Sequence, residues 1–299
     1  MSATDTNPTQ LIHFGLLQIQ GPDAVKFLQG QATCDVEKLA IGDSCHGAHC
    51  TAKGRMIGNF DLAKLNDQTL WLKTPADNLA PLMQSLAKYI VFSKADIIDI
   101  SADHEILELS DGDIEAHLQA LTTSDTTTNT SVTIRQSQER LELWCPSNIE
   151  LPNSLAIATP AISWLSSIRA GKGWITQATS DQFLPQDLNL QTDAINGISF
   201  TKGCYTGQEI VARMHYKGKL KRHLYHFRLN SSQEIAPGAE LQTVAGKKSV
   251  GSVINVANSE LGCDILAVTT EAAISDEQLS VNGNELQLMP LAYAITSEA

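Results

Sequence analysis

Apolar residues fall along this chain in short bursts, and their spacing changes with position. Leu11 to Gln20 reads LIHFGLLQIQ and stops at Gly21-Pro22, which predicts a strand with a hard end. Pro22 and Asp23 suit the first turn of a helix, and the following AVKFLQGQ places Ala24, Phe27, Leu28 and Gln31 on one face. GRMIGNFDLAKL and TLWLKT predict two strands with a turn at Asn66-Asp67. From Ala76, Leu79, Leu82, Met83, Leu86 and Ile90 recur at helical spacing. Strand-like ADIIDIS, HEILELS, SVTIRQ and RLELWCP follow, with a short helix predicted over Asp113 to Leu121. Close strand pairs mixed with helices favour α+β over a doubly wound parallel sheet.

Thr122 to Ser131 has no apolar residue and predicts an exposed loop. AISWLSSIRA predicts a short helix ended by Gly171, and residues 173–200 predict a long polar loop of the kind that carries function. From His223 the pattern becomes one of short strands: HLYHFRL, AELQTV, SVGSVINV, CDILAVTT, QLSV and ELQLMPLAYAI. Asn282-Gly283 is a strong hairpin signal. The last part of the chain therefore predicts a small all-β barrel or sandwich, and 299 residues suit about two domains. We place them at 1–220, an α+β domain, and 221–299, a C-terminal β-barrel.

Composition narrows the partners. The net charge is −12, so the whole surface is unsuited to wrapping duplex nucleic acid, and an anion site must be a local basic island. MSATDTNPTQ has neither the basic nor the apolar part of a secretory signal, and no apolar run is long enough to span a bilayer, so a cytoplasmic setting without membrane partners is expected. Six cysteines, spread along a long chain with no C-x-x-C pair, read as free thiols.

The basic island lies at Lys202 to Arg228, where seven basic residues face the single acid Glu209. Within it, Thr206-Gly207-Gln208-Glu209 matches a capping box and predicts a helix from Gly207. Cys204 then stands just before a helix N-terminus and beside Lys202, a setting that favours thiolate. Gly203 permits positive φ or close approach to a ligand. His215, His223 and His226 are candidate bases by proximity in sequence alone.

Lys202-Gly203-Cys204-Tyr205-Thr206-Gly207-Gln208-Glu209 resembles the signature octapeptide K-G-C-Y-x-G-Q-E of the YgfZ family, relatives of the glycine-cleavage T protein, an aminomethyltransferase. GPDAVKFLQGQATCDV, HCTAKGRM, YIVFSKADI and FLPQDLNLQTDAINGISF are also similar to family segments, in the family order. The resemblance implies a folate-binding α+β region with a ferredoxin-like part, a C-terminal β-barrel and a central channel for tetrahydrofolate. It implies a role in assembly or repair of iron–sulfur clusters, notably in tRNA-thiolating enzymes. Cys204 is then the candidate functional thiol, and direct tRNA binding by the Lys217–Arg222 cluster is a lesser alternative. Two folate-site tryptophans of the family fall at Phe14 and Trp164; Phe14 retains an aromatic ring, although a core strand position explains it equally. Aminomethyltransferases carry an acid near GRMIGNF, and by alignment that position is Gly58 or Asn59, with Asp61 out of register. This points to folate binding without ordinary aminomethyl transfer, with a folate-dependent one-carbon transferase as the alternative.

Other chemistry has weaker support. Cys45-His46-x-x-His49-Cys50 crowds four potential metal ligands into six residues, a poor spacing for zinc, and short ferredoxin spacings are absent. No phosphate loop or RNA-binding motif is present.

Overall fold

The computed structural model describes residues 13–110, 131–135, 140–148, 160–230, 234–245, 248–259, 262–276 and 278–295. The first sheet contains β1 (Phe14–Gln20), β2 (Ser44–Cys50), β3 (Met56–Asn66), β4 (Thr69–Pro75) and β5 (Asp96–Asp99), in the order β2-β3-β4-β1-β5. All neighbours in it are antiparallel. With α1 (Ala24–Gln29) and α2 (Ala76–Ile90), the succession β1-α1-β3-β4-α2-β5 is the split β-α-β-β-α-β unit of ferredoxin-like folds, extended at its edge by β2.

Both faces of this sheet are covered. On one, Leu17, Ile19, Phe60, Leu62 and Leu72 pack with Leu28 of α1 and with Leu82 and Leu86 of α2. On the other, Leu16, Ala63 and Trp71 meet Ile106, Val132, Ile134 and Trp144. These last come from a three-stranded sheet of β6 (His104–Ser110), β7 (Val132–Arg135) and β8 (Arg140–Pro146), in the order β6-β8-β7. Burial on both faces explains why β1 lacks clean apolar–polar alternation.

After α3 (Pro160–Arg169) comes an irregular stretch with two 3-10 turns, then α4 (Gln208–Lys217). The strands from Arg222 onward form one seven-stranded antiparallel sheet: β9 (Arg222–Leu229), β10 (Glu240–Thr243), β11 (Ser249–Ser259), β12 (Gly262–Thr270), β13 (Leu279–Val281), β14 (Asn284–Glu285) and β15 (Gln287–Met289). Its order is β14-β13-β10-β11-β12-β9-β15. β14 pairs with one edge and β15 with the other, and only Leu286 separates them, so the sheet curls towards barrel closure around Phe227, Val253, Ile265 and Val281. Asn282 and Gly283 have φ of 50° and 80°, as a type I′ hairpin turn requires.

Several elements differ from the sequence reading. β2 (SCHGAHC) has almost no strand-forming residues and owes its strand to pairing with β3. The β3–β4 turn is one residue later than expected, because Asn66 still pairs with Thr69 while its Oδ1 accepts the Gln68 N–H at 2.8 Å. A short helix, α5 (Glu271–Asp276), was not expected. The helix expected over Asp113–Leu121, and all of the Thr122–Ser131 loop except Ser131, lie outside the described residues. Among the described residues no helix is long and apolar enough to cross a membrane.

Candidate functional site

Register builds a row of polar side chains across the first sheet. His46 of β2 lies opposite Asp61 of β3, which lies opposite Lys73 of β4. The row stands on the face away from α1 and α2, and Glu142 of β8 approaches it from the three-stranded sheet. Between them opens a cavity of about 320 Å³, walled further by Phe14, α3, the 172–174 segment and Tyr293.

Every charge at this row is matched. Asp61 Oδ1 accepts from His46 Nδ1 at 2.8 Å and from Lys172 Nζ at 2.6 Å, and its Oδ2 lies 3.0 Å from Lys73 Nζ. Lys73 Nζ also donates to both oxygens of Glu142 at 2.7 Å, and Trp144 Nε1 donates to Glu142 at 3.0 Å. Asn59, two residues from Asp61 on the same face of β3, fixes the histidine tautomer. Its Oδ1 accepts the Ile175 N–H, so its Nδ2 is the donor to Gly173 O and to His46 Nε2. His46 is therefore neutral, with its proton on Nδ1 facing Asp61.

The ionisations follow from burial set against partners. Burial pushes the Asp61 carboxyl up, but Lys172, Lys73 and His46 together hold it well below the usual carboxylate range. Burial pulls Lys73 down, and Glu142 and Asp61 more than restore it. Lys172 stays below its ordinary value, because burial and the nearby Lys73 outweigh Asp61. Burial also lowers His46. Two aromatic rings complete the wall: Phe14 and Trp174 meet edge to face at 4.9 Å. Lys73 Nζ lies 4.8 Å and 5.2 Å from their centroids, and Lys172 Nζ lies 4.9 Å from that of Trp174, distances at which a cation is attracted to the ring face.

The octet is built differently. Lys202 is buried, and its Nζ donates to the carbonyls of Gln29, Ala32 and Cys34 at 2.7, 2.8 and 2.7 Å. Tyr205 is buried beneath it. Thr206 donates its N–H to Gly30 O and its hydroxyl to Gln31 Oε1, and the expected capping box does not form, because the N-cap is Gly207 and no side chain caps the helix. α4 starts at Gln208, one residue late, on Gly207 at φ 85°. A Cβ at Gly207 would stand 2.5 Å from Thr51 O, so only glycine fits. Gly203 is not in the left-handed region, which corrects the positive-φ reading, and a Cβ there would meet no protein atom within 4 Å.

Cys204 is exposed and is not part of the cavity wall. The octet clamps onto the end of α1, on the helix-covered side of the sheet, whereas Asp61 and its partners face the other way. The ammonium of Lys202 is engaged by carbonyls rather than turned to the thiol.

Comparison with known proteins bears directly on this arrangement. The GCVT N-terminal domain model matches residues 9–141. The crystal structure of glycine cleavage system aminomethyltransferase T from Bartonella henselae superposes with a TM-score of 0.70 at 17% identity, covering 97% of this chain and 86% of that one. The fold is thus aminomethyltransferase-like, as the sequence implied. The tRNA-modifying protein YgfZ of Sodalis glossinidius is 34% identical, over 94% of this chain and 91% of its own. That of Yersinia pseudotuberculosis is 32% identical, over 95% and 92%. The chain belongs to the YgfZ family.

In this YgfZ-family chain the residues anticipated from sequence separate into two places. Phe14 lines the cavity. Trp164 stands one layer behind, 5.5 Å from Phe14, with its Nε1 donated to Val256 O at 2.8 Å; Trp174 takes the lining position that Trp164 was expected to have. The signal for Trp174 was an aromatic residue directly after Gly171-Lys172-Gly173. Gly58 and Asn59, the two positions anticipated for the acid, carry none, but Asp61 and Glu142 bring carboxylates to the cavity, so the expectation of a site without one is corrected. Strand alternation sends His46 to Asp61 and His49 to Gln31 O and Ser85 on the opposite face, so the Cys45–Cys50 cluster cannot converge on one metal.

The basic island is also smaller than its sequence suggests. Lys202 is internal, Arg222 pairs with Asp187, and Arg228 pairs with Asp264. Two of the three candidate bases are engaged as well: His226 with Asp264 at 2.8 Å, and His215 stacked on Phe200 at 3.7 Å; His223 is buried, and its Nδ1 has no hydrogen-bond partner among the described residues.

Proposed function

We propose that this protein binds a folate, with tetrahydrofolate as the form, in the cavity beside Phe14 and Trp174, and serves tRNA modification as an accessory to iron–sulfur enzymes such as the tRNA-thiolating ones. The observation that carries the reading is the pairing of those two rings with buried Asp61, Glu142 and Lys73 and half-buried Lys172 around one hollow. A pterin is a flat ring with hydrogen-bonding edges, and the site offers it aromatic surface, carboxylate acceptors and ammonium donors. Ser163 Oγ, buried on the wall, has no partner among the described residues, and so offers one more hydrogen-bonding position for such a ring. The family membership and the aminomethyltransferase-like fold support the same ligand class.

A bound tetrahydrofolate supplies a carrier for one-carbon units. The chain's own contribution is to bind and orient it. Asp61, held as a carboxylate, is an electrostatic partner and hydrogen-bond acceptor rather than a proton donor at neutral pH. The exposed thiol of Cys204, held out by its clamped neighbours, is the group for contact with a cluster, sulfur or a partner protein.

A second reading, a folate-dependent one-carbon transferase, is favoured by one observation, the carboxylate of Asp61 in the cavity. Titrating tetrahydrofolate while following tryptophan fluorescence tests the first reading. Saturable quenching is expected from Trp174 in the wall, and its absence refutes folate binding. Turnover of methylene-tetrahydrofolate by the pure protein decides for the second.

A further inference from the structure

α3 presents two faces. Trp164 and Ile168 turn to the barrel side, and Ser163, Ser167 and Ala170 line the cavity at the i, i+4, i+7 spacing of one helical stripe. The two serines on that stripe differ. Ser167 Oγ accepts the indole N–H of Trp174 at 2.8 Å and so fixes the ring in the wall. Ser163 is 4% exposed, and its hydroxyl has no hydrogen-bond partner among the described residues. Other buried polar side-chain atoms also lack partners: on Asn78, Gln186, Gln191, His223 and Arg228. None of these residues belongs to the cavity wall.

A buried hydroxyl without a partner destabilises the folded chain, and such groups in folded proteins have a reason. An alanine at 163 would remove the cost and keep the helix, since alanine is the stronger helix former. The serine therefore gains no hydrogen bond from another described protein group, and a ligand in the cavity can give its hydroxyl the partner it lacks. We infer that Ser163 is a specificity-determining contact whose hydroxyl hydrogen-bonds a polar edge atom of the cavity's heteroaromatic ligand. This rests on the folate reading above and adds a residue to it. The lysines and carboxylates already satisfy one another, so they can exchange partners with a ligand only by giving up bonds. Ser163 gives up no bond to another described protein group, only to water, so its hydrogen bond counts towards affinity by its net value and towards discrimination against a ligand edge that cannot match it.

The test separates affinity from stability. Wild type, Ser163→Ala and the near-isosteric Ser163→Cys are titrated with tetrahydrofolate by tryptophan fluorescence and unfolded in urea without ligand. Loss of a buried hydrogen bond predicts a dissociation constant raised about tenfold in both variants, while the midpoint of Ser163→Ala without ligand stays equal to or above that of wild type. Affinities within twofold of wild type in both variants overturn the inference and leave the folate reading intact. An equal fall in affinity and in ligand-free stability also overturns it, by making the role structural. Failure of wild type to bind overturns the folate reading and the inference with it.

Discussion

The cavity and the octet each bury a lysine, and each uses it differently. Lys73 is shared between two carboxylates, with aromatic rings beside it and an open hollow in front. Lys202 is shared among three neutral carbonyls around the end of α1, where backbone dipoles leave negative potential. The first arrangement stores matched charges at a surface where a ligand can alter the balance. The second is a clamp that fixes the backbone and leaves Gly203 and the Cys204 thiol exposed between buried Lys202 and Tyr205. A motif that is conspicuous in sequence can thus be mostly mechanical, while the site's polar chemistry is gathered from dispersed, inconspicuous residues.

The largest expected effect comes from breaking the charge match. Lys73→Met strands Asp61 and Glu142 together in the interior and is expected to cost about 3–5 kcal/mol, read as a lower urea midpoint with an unchanged slope. Lys202→Met orphans three carbonyls and is expected to cost about 2–3 kcal/mol. Ligand affinity distinguishes the two: the Lys73 variant loses it, and the Lys202 variant stays within about twofold of wild type. If both lose it, the clamp and the cavity are one site.

Acid gives the next effect, and β2 connects the two regions. It sends His46 to the cavity and His49 towards the octet, where Gln31 receives both His49 Nδ1 and the Thr206 hydroxyl. Burial, only partly offset by the Gln31 carbonyl, lowers His49 to about 4, while the unfolded chain titrates near 6.5. Between these values the unfolded state binds the proton and the folded state does not. Stability from this residue is therefore intact above about pH 6.5 and declines as the pH falls to 4, by about 3 kcal/mol. His46, lowered by burial, acts in the same direction. Urea melts across this range should steepen the decline in wild type and flatten it in His49→Gln. An unchanged slope in that variant assigns the acid sensitivity to the cavity side.

The elements were largely legible from sequence because period and punctuation are local. Alternation, the helical recurrence in α2 and the Asn282-Gly283 turn each act through neighbouring residues. β2 was not legible, since small and polar residues such as Gly47 and Ala48 become a strand only when β3 supplies the partner. The octet was legible as a motif but misread in its parts: nothing local shows that Lys202 reaches back to Gln29, or that Thr206 gives its hydroxyl to Gln31 rather than to a cap. The row His46–Asp61–Lys73 was hidden for the same reason. Its members are far apart in the chain, and only strand register aligns them. Trp174 took the place expected of Trp164 because Ser167, on α3, holds its indole.

The smallest effect on stability should come from Cys204→Ser, and it bears on the comparison most directly. The residues around Cys204 are committed: Lys202 to the α1 carbonyls, Tyr205 to burial, Thr206 to Gly30 and Gln31. An exposed side chain between such anchors can change without moving them, so urea stability should stay within about 0.5 kcal/mol of wild type. The same variant should fail to complement a strain lacking the protein, because the clamp then displays a hydroxyl in place of its one exposed thiol. Labelling with a small aromatic disulfide should find Cys204 faster than Cys34, Cys50, Cys145 and Cys263, which are buried. Full complementation would make the octet a clamp and nothing more, leaving the cavity to carry the function alone. Lost complementation with unchanged stability and unchanged folate affinity would establish that this protein works through two separate faces of one sheet, a ligand on one and a sulfur on the other.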